Sequence, residues 1–166
     1  MSSSGAGLAP AKAPGIQKNT FLVIGGWFSI LFAAFQISGI WWPASGIKWF
    51  GGGDLLAQMS QDRPFSYAAL CLVIGLIAAG FGAYALSGAG KIVRLKLLRT
   101  GLTFITIIYL LRGLTVFAET ASAARGQQPW RFAVFSLIAL LVGLTHFGGL
   151  MKLFRYGRPG ESVQTR

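Results

Sequence analysis

The sequence predicts an all-α integral membrane protein that folds as a four-helix bundle. Two features of its composition support this class: only 11% of the 166 residues are charged, and 54% are hydrophobic. A water-soluble domain is typically about 25% charged, so this chain has too few polar groups to cover a globule. The third observation is a set of four long apolar stretches, each close to the ~20 residues that a helix needs to cross a bilayer. A water-soluble domain and a disordered chain are therefore excluded.

The first predicted span covers residues 20–42 and contains the uncharged run FLVIGGWFSILFAAFQISGI. Lys12 and Lys18 precede it, an arrangement that is also typical of a secretory signal peptide. Its apolar run is longer than the roughly 7–15 residues of a signal, and a bulky Trp-Trp pair follows where a cleavage site needs small residues. We therefore predict a retained span. The Ser-, Gly-, Ala- and Pro-rich residues 1–19 predict a disordered cytoplasmic tail.

The other three predicted spans follow at short intervals. Residues 67–86 form the second span and carry no charge. Residues 97–118 form the third, which has Arg112 well inside its apolar run. Residues 132–153 form the fourth, and the basic residues 154–166 after it predict a second cytoplasmic tail. All four spans are predicted to be helical, because backbone polar groups must satisfy one another where no water is present.

The longest connection, residues 43–66, joins the first two spans. It contains a Trp-Phe pair followed by three glycines, residues 51–53. The glycines predict a hinge beneath an aromatic segment at headgroup depth, and the connection is a candidate lid over a cavity in the bundle.

Small residues recur at helical spacing in three of the spans. In lipid, such residues let helices approach closely, so these faces are predicted to pack inside the bundle. The faces are Gly25, Ser29 and Ala33 on the first span, Ala68, Gly75, Ala79 and Gly82 on the second, and Ser136, Ala139, Gly143 and His146 on the fourth.

The distribution of basic residues predicts the orientation. With four crossings, ten of the 15 Lys and Arg residues share a side with both termini, and four lie on the other side. Basic residues are enriched in cytoplasmic loops, so we predict a bacterial inner-membrane protein with both termini in the cytoplasm. Four of the five tryptophans fall on the other side, at headgroup depth. Because the charges are dispersed over short connections, the net charge of +11 predicts no nucleic-acid partner.

Arg112 is the main candidate for a functional residue. A charged side chain near the centre of a span costs about 2.5–3.5 kcal/mol and rarely faces lipid without a role or a partner. Glu119 shares its helical face two turns away, about 10 Å along the axis, so the two side chains are expected to meet only through water or a third group. Tyr109 lies on the same face, and Gln36 has a similar depth on the first span.

We predict that these four residues line a polar cavity open to the outer side. In this hypothesis Arg112 binds an anionic or polarised oxygen of a ligand, and Glu119 balances its charge. The alternative is that Arg112 extends to the outer headgroups and only anchors its helix.

His146 is predicted to lie in the inner half of the fourth span, as a neutral imidazole hydrogen bonded across helices. Its candidate neighbours by depth are Tyr84, Thr103 and Thr106. One Cys and one His do not supply a four-ligand zinc site within one chain, and no P-loop, nucleophile elbow or Cys-x-x-Cys motif occurs. We therefore expect no catalytic residue, no metal and no cofactor.

The segment from Tyr84 to Leu114 contains the runs YALSGAGKIVRLKLLRTG and IIYLLRGL. Together with the span count and the short basic connection, it resembles small four-span bacterial inner-membrane proteins of the DoxX-like group. The resemblance implies the fold and the location, and no catalytic motif of that group matches this chain.

These features favour a non-enzymatic membrane protein, either an accessory subunit or a protein that binds a small or lipid-like ligand from the outer leaflet. Its expected partners are the lipid bilayer and either a larger membrane protein or further copies of itself. One alternative is a small transporter or channel that acts as an oligomer, since four helices rarely enclose a pathway alone. A second alternative is a quinone-linked redox component.

Overall fold

The computed structural model describes residues 19–93 and 95–156. These residues form six α-helices and no β-strand, which confirms the predicted all-α class. The helices are α1 (Thr20–Ser38), α2 (Ala44–Trp49), α3 (Gly53–Asp62), α4 (Pro64–Gly88), α5 (Leu98–Ala124) and α6 (Trp130–Tyr156). A 3-10 turn, Gly39–Trp41, continues α1. The tails predicted at 1–19 and 154–166 fall almost entirely outside the described residues.

Four of these helices, α1, α4, α5 and α6, are long and apolar enough to cross a membrane. The chain is therefore a multi-pass membrane protein, and the four predicted spans are confirmed. Three helices are longer than predicted. The helix α6, Trp130–Tyr156, exceeds the predicted span 132–153 at both ends, so residues 154–156 are helical rather than part of a tail. The helix α4 already begins at Pro64, because proline is well tolerated in the first turn of a helix. The helix α5 continues past the polar Glu119 to Ala124.

The four long helices pack as a closed bundle. The helix α1 lies against α4 and α6, and α5 lies against α6 and α4. The most extensive contacts join α1 to α4 and α5 to α6. At the second of these interfaces a Cβ atom on Gly113 would lie 2.4 Å from the Cα atom of Leu140, so only glycine permits this approach.

Most of the small residues predicted to pack are buried. They are Gly25, Ser29 and Ala33 of α1, Gly75 and Gly82 of α4, and Ser136, Gly143 and His146 of α6. Where α1 crosses α4, a Cβ atom on Gly82 would lie 2.9 Å from the carbonyl oxygen of Gly26. The packing faces therefore follow from the spacing of small side chains, as expected for helices in lipid.

The two ends of the bundle differ. The end that carries α2 and α3 is called here the hairpin end, and the end that carries the α4–α5 connection is called the opposite end. At the opposite end, the buried Asn19 caps α1, and its Nδ2 donates a hydrogen bond to the carbonyl oxygen of Gly149 at 2.8 Å. An apolar core there joins all four spans through Leu22, Ala85, Ala89, Leu98, Leu102, Leu150 and Leu153.

At the hairpin end, α2 and α3 form a short helical hairpin. The three glycines form its turn, with positive φ angles at Gly51 (94°) and Gly53 (67°) that favour glycine. An ion pair between Lys48 Nζ and Asp54 Oδ1, 2.6 Å long, joins the two helices. Below the hairpin, Ile47, Ala57, Tyr67 and Cys71 form a small buried core.

Aromatic and cationic contacts fasten the hairpin to the bundle. Arg131, in the first turn of α6, donates from Nε to the carbonyl oxygen of Trp49 at 2.7 Å, and its guanidinium lies over the Trp49 ring. The Phe50 ring contacts the rings of Trp42 at 4.3 Å and Phe35 at 5.0 Å. The hairpin thus covers the end of α1 and the start of α6.

Candidate functional site

Arg112 and Glu119 form a direct ion pair within α5. The Nη1 atom of Arg112 lies 3.2 Å from Oε1 of Glu119 and donates to Oγ1 of Thr115 at 2.5 Å. The expectation that water or a third group must bridge the pair was wrong. Both side chains are long, and the arginine extends along the helix toward the hairpin end, which closes the two-turn gap.

Ser136 connects this pair to α6. Its side chain is fully buried; its Oγ accepts a short hydrogen bond from Arg112 Nη1 and donates a short one to Glu119 Oε2. Thr115 Oγ1 lies 3.0 Å from Ser136 Oγ and 3.3 Å from Glu119 Oε1. We call Arg112, Thr115, Glu119 and Ser136 the polar cluster. The Thr115 hydroxyl donates its proton to the carbonyl oxygen of Arg112 at 2.7 Å, so the carboxylate is held by the arginine and by the Ser136 hydroxyl.

The guanidinium of Arg112 lies at an open part of the bundle surface. Contacts between α4 and α5 occur nearer the opposite end, where Gly101 packs against the Tyr84 ring. Farther toward the hairpin end, the Phe81 and Tyr109 rings make an edge contact. Arg112 lies one turn beyond Tyr109 on a similar face of α5, and its side chain is 50% exposed. Half of this side chain is therefore left uncovered by the bundle.

Part of the guanidinium is also free to bind. Among the described residues, the side-chain hydrogen bonds of Arg112 all come from its Nη1 atom. Its Nε and Nη2 atoms carry three further N–H groups, arranged in the planar fork that suits a carboxylate or phosphate oxygen. The polar cluster thus holds the arginine in place through one nitrogen and presents the others.

Tyr109 belongs to a different group, at the centre of the bundle. Its hydroxyl group donates to Ser29 Oγ at 2.9 Å, and its ring stacks on the His146 ring at 5.2 Å. Gly25 of α1 makes room for the imidazole, because a Cβ atom there would lie 2.7 Å from the ring. Tyr109 therefore points to α1 and α6 rather than into the polar cluster.

The ring that stacks on His146 is that of Tyr109, which was not among its predicted neighbours. Tyr84 hydrogen bonds to the carbonyl oxygen of Lys96 in the α4–α5 connection, and Thr103 and Thr106 bond to carbonyl oxygens of their own helix. None of these three hydrogen bonds involves His146, and depth in the membrane does not predict which ring stacks on a buried side chain, because that depends on helix rotation.

The hydrogen bonding of His146 also differs from the prediction, because its bond is made within α6 and not across helices. The Nδ1 atom lies 2.9 Å from the carbonyl oxygen of Val142, so Nδ1 carries the proton. The Nε2 atom is buried without a partner among the described residues.

Gln36 lines a third feature, a pocket of about 220 Å³ beneath the α2–α3 hairpin. We call it the hairpin pocket; its walls include Phe35, Gln36, Trp42, Phe50, Tyr67 and Cys71. No lining residue carries a charge, and neither Arg112 nor Glu119 contributes to it. The predicted lid is thus present as a cover, but it covers this pocket rather than the polar cluster.

The structure therefore brings together two of the four residues predicted to bind a ligand. Arg112 and Glu119 meet in the polar cluster, whereas Tyr109 and Gln36 lie in two other places. Sequence reasoning missed Ser136 as a member, although its place on a packing face of the fourth span was the available signal.

Comparison with known proteins adds no functional assignment. No family model, no curated protein and no solved structure matches the chain. Within the described residues, no group of three or more His, Cys, Asp or Glu side chains is arranged to hold a metal ion.

Proposed function

We propose that this chain is a non-enzymatic membrane protein that binds the polar head of a lipid-like ligand at the polar cluster. In this proposal it lies in a bacterial inner membrane with both termini in the cytoplasm, so that the hairpin end faces outward. The observation that carries the proposal is the half-exposed guanidinium of Arg112 inside a span, fixed by Glu119 and Ser136. A relationship to the DoxX-like group is part of the same proposal.

The energetics of charge in lipid support a binding role. An unpaired arginine at this depth is costly, and Glu119 and Ser136 remove part of that cost. The remaining N–H groups of Arg112 lose their water partners in the bilayer, which is unfavourable. An oxygen atom from another molecule removes this cost when it accepts their hydrogen bonds. A phosphate, carboxylate or ester oxygen meets this requirement, and hydrogen bonds to a charged donor are stronger than neutral ones.

The surroundings of the cluster suit an apolar tail. Leu111, Leu114 and Phe117 of α5 are between 51% and 69% exposed and flank the arginine along the helix. A ligand whose head binds Arg112 therefore has an apolar surface along which its chain can lie. This combination favours an amphipathic molecule of the outer leaflet over a small water-soluble ion.

The proposal is tested by identifying what copurifies with the protein from its native membrane in mild detergent. Mass spectrometry of the extract is expected to detect an acidic or ester-bearing lipid in excess over the bulk lipid composition. Loss of a charge-assisted hydrogen bond costs about 1.5–3 kcal/mol, so the Arg112→Leu/Glu119→Gln variant is expected to retain at least tenfold less of it. The double change avoids leaving a carboxylate without its partner.

Arg125→Leu is the matched control, because this arginine lies at the end of α5 and bonds to Gln127 outside the span. It is expected to retain the lipid at the wild-type level. Equal retention by all three proteins contradicts the proposal and favours an arginine that only anchors its helix. A stoichiometric larger protein in place of the lipid favours the accessory-subunit alternative.

A further inference from the structure

The hairpin pocket is a second candidate binding site, separate from the polar cluster. It lies between the last turn of α1, the first turns of α4 and the α2–α3 hairpin. The hydroxyl group of Tyr67 donates to the carbonyl oxygen of Gly39 at 3.1 Å and so joins α4 to the end of α1 at its wall. Its roof is fastened to the bundle by Arg131 and Phe50. The space is therefore a recess walled by three parts of the chain and partly open to the surroundings.

The lining excludes a charged occupant. The walls are aromatic and aliphatic, and no Lys, Arg, Asp or Glu side chain faces the space. Moving an unpaired charge into such surroundings is strongly unfavourable. A planar ring, in contrast, finds aromatic partners in Phe35, Trp42 and Phe50, and such ring contacts contribute beyond the buried area.

The volume of the pocket suits a group of about one ring. An apolar protein cavity of about 150 Å³ is large enough to bind benzene. The 220 Å³ of the hairpin pocket therefore holds a six-membered ring with small substituents, and is smaller than the roughly 300–1,000 Å³ of a site for a drug-sized molecule.

Gln36 is the one side-chain amide among the described residues that line the pocket. Its side chain is partly buried at the pocket wall, and no hydrogen bond of this amide occurs among the contacts that we describe. An amide both donates and accepts hydrogen bonds, so it can bind either a hydroxyl or a carbonyl oxygen on the ring.

We propose that the hairpin pocket binds an uncharged, ring-sized group that carries one hydroxyl or carbonyl oxygen, which Gln36 recognises. Such a ring is either free or attached to a lipid tail. This site does not depend on the function proposed for the polar cluster, because the two share no residue.

The single cysteine of the chain offers a local probe. Cys71 is buried on the pocket wall, so a reagent of about the size of the proposed ligand must enter the pocket to reach its thiol. The rate of its modification by methyl methanethiosulfonate, followed by intact-protein mass spectrometry, is expected to fall at least fivefold in saturating phenol. Benzoate, a ring of similar size that carries a charge, is expected to leave the rate unchanged.

Equal protection by benzoate would overturn the proposal, as would a Cys71 that phenol does not protect. A thiol that the reagent never modifies would overturn it too, because ring-sized molecules then have no entry. Protection by 4-octylphenol as well as by phenol supports a ring carried on a lipid tail, and protection by phenol alone supports a free ring.

The role of Gln36 is tested by comparing phenol with toluene, in which a methyl group replaces the hydroxyl. Gln36→Leu is expected to weaken the protection of Cys71 by phenol about fivefold, because one net hydrogen bond is lost. Protection by toluene is expected to change less than twofold. Gln58→Leu, at an exposed position of α3 outside the pocket, is the control. It is expected to leave the protection of Cys71 by either ligand unchanged. If Gln36→Leu weakens both ligands equally, recognition of the oxygen by this amide is wrong.

Discussion

At the scale of single residues, the polar cluster depends on a side chain that carries no charge. Ser136 is buried on α6 and bonds both to the arginine and to the carboxylate of the α5 ion pair. Each of these groups would lose a hydrogen-bond partner inside the membrane if the hydroxyl were absent. The serine therefore fixes the geometry in which Arg112 presents its free N–H groups.

Ser136→Ala is expected to lower the stability of the protein by about 1–3 kcal/mol, because it leaves buried polar groups unsatisfied. The measurement is the thermal unfolding midpoint in detergent. Ser66→Ala, at an exposed position in the first turn of α4, serves as the comparison and is expected to leave the midpoint unchanged. Equal midpoints for Ser136→Ala and wild type would falsify the role given to this hydroxyl group.

The sequence predicts the charged members of the cluster but not the serine. A charge within an apolar run is visible in the sequence, so Arg112 and Glu119 were identified as candidates. The contribution of Ser136 depends on the rotation and register of α6 against α5, which the contact between Gly113 and Leu140 helps to set. Tyr109 was misplaced for a related reason, because a helical face is broad and residues three apart can contact different neighbours.

The ion pair of the hairpin makes a second prediction at the residue scale, and it concerns pH. A hydrogen bond from Lys48 and its positive charge lower the pKa of Asp54 below its ordinary value of 3.8. A carboxyl group whose pKa is lowered by folding stabilises the fold at pH values above its ordinary pKa. This contribution disappears as the pH falls through the lowered pKa. Both side chains are more than half exposed, so the effect is small and is weakened by salt.

Hydrogen exchange of the backbone amides in residues 44–62, corrected for intrinsic exchange rates, is expected to become faster as the pH falls through the lowered pKa of Asp54. Asp54→Asn is expected to show this faster exchange already at neutral pH and no further step in acid. A step of the same size in this variant would assign the acid sensitivity to another group.

At the scale of elements, hydropathy identified the long helices and failed for the short ones. The helices α2 and α3 contain six and ten residues, which is too short for a search based on spans. Each buries one apolar residue beneath the hairpin, Ile47 in α2 and Ala57 in α3. The triple glycine predicted a hinge in this connection, and in the structure it is the turn between two helices.

The contact between α5 and α6 makes the sharpest prediction for an element. Gly113→Ala would place a methyl carbon 2.4 Å from the Leu140 Cα atom, and backbone cannot move as a flexible side chain can. Overpacking of this kind typically costs about 1–3 kcal/mol, so the thermal unfolding midpoint in detergent is expected to fall. Gly80→Ala on α4 is the matched control, because no atom lies within 4 Å of its new Cβ.

Gly80→Ala is expected to leave the midpoint unchanged or raise it, since alanine favours helix more than glycine does. A Gly113→Ala protein as stable as Gly80→Ala would show that α5 and α6 are not packed at this distance.

At the scale of the whole molecule, the orientation determines what the two candidate sites can meet. If the hairpin end faces outward, the polar cluster and the hairpin pocket are both accessible from the outer leaflet. If it faces inward, both sites draw their ligands from the cytoplasmic side. The basic residues near the opposite end favour the first orientation, because such residues are retained in the cytoplasm.

Two single-cysteine variants test this orientation, each made together with Cys71→Ser. Ser45→Cys places an exposed thiol on α2 at the hairpin end, and Lys91→Cys places one in the α4–α5 connection. With a membrane-impermeant maleimide added to intact cells, Ser45→Cys is expected to be labelled and Lys91→Cys to react only after the cells are opened. Labelling of Lys91→Cys alone in intact cells would reverse the topology. The positive-inside argument would then fail for this chain, and the proposed ligand of Arg112 would have to come from the inner leaflet.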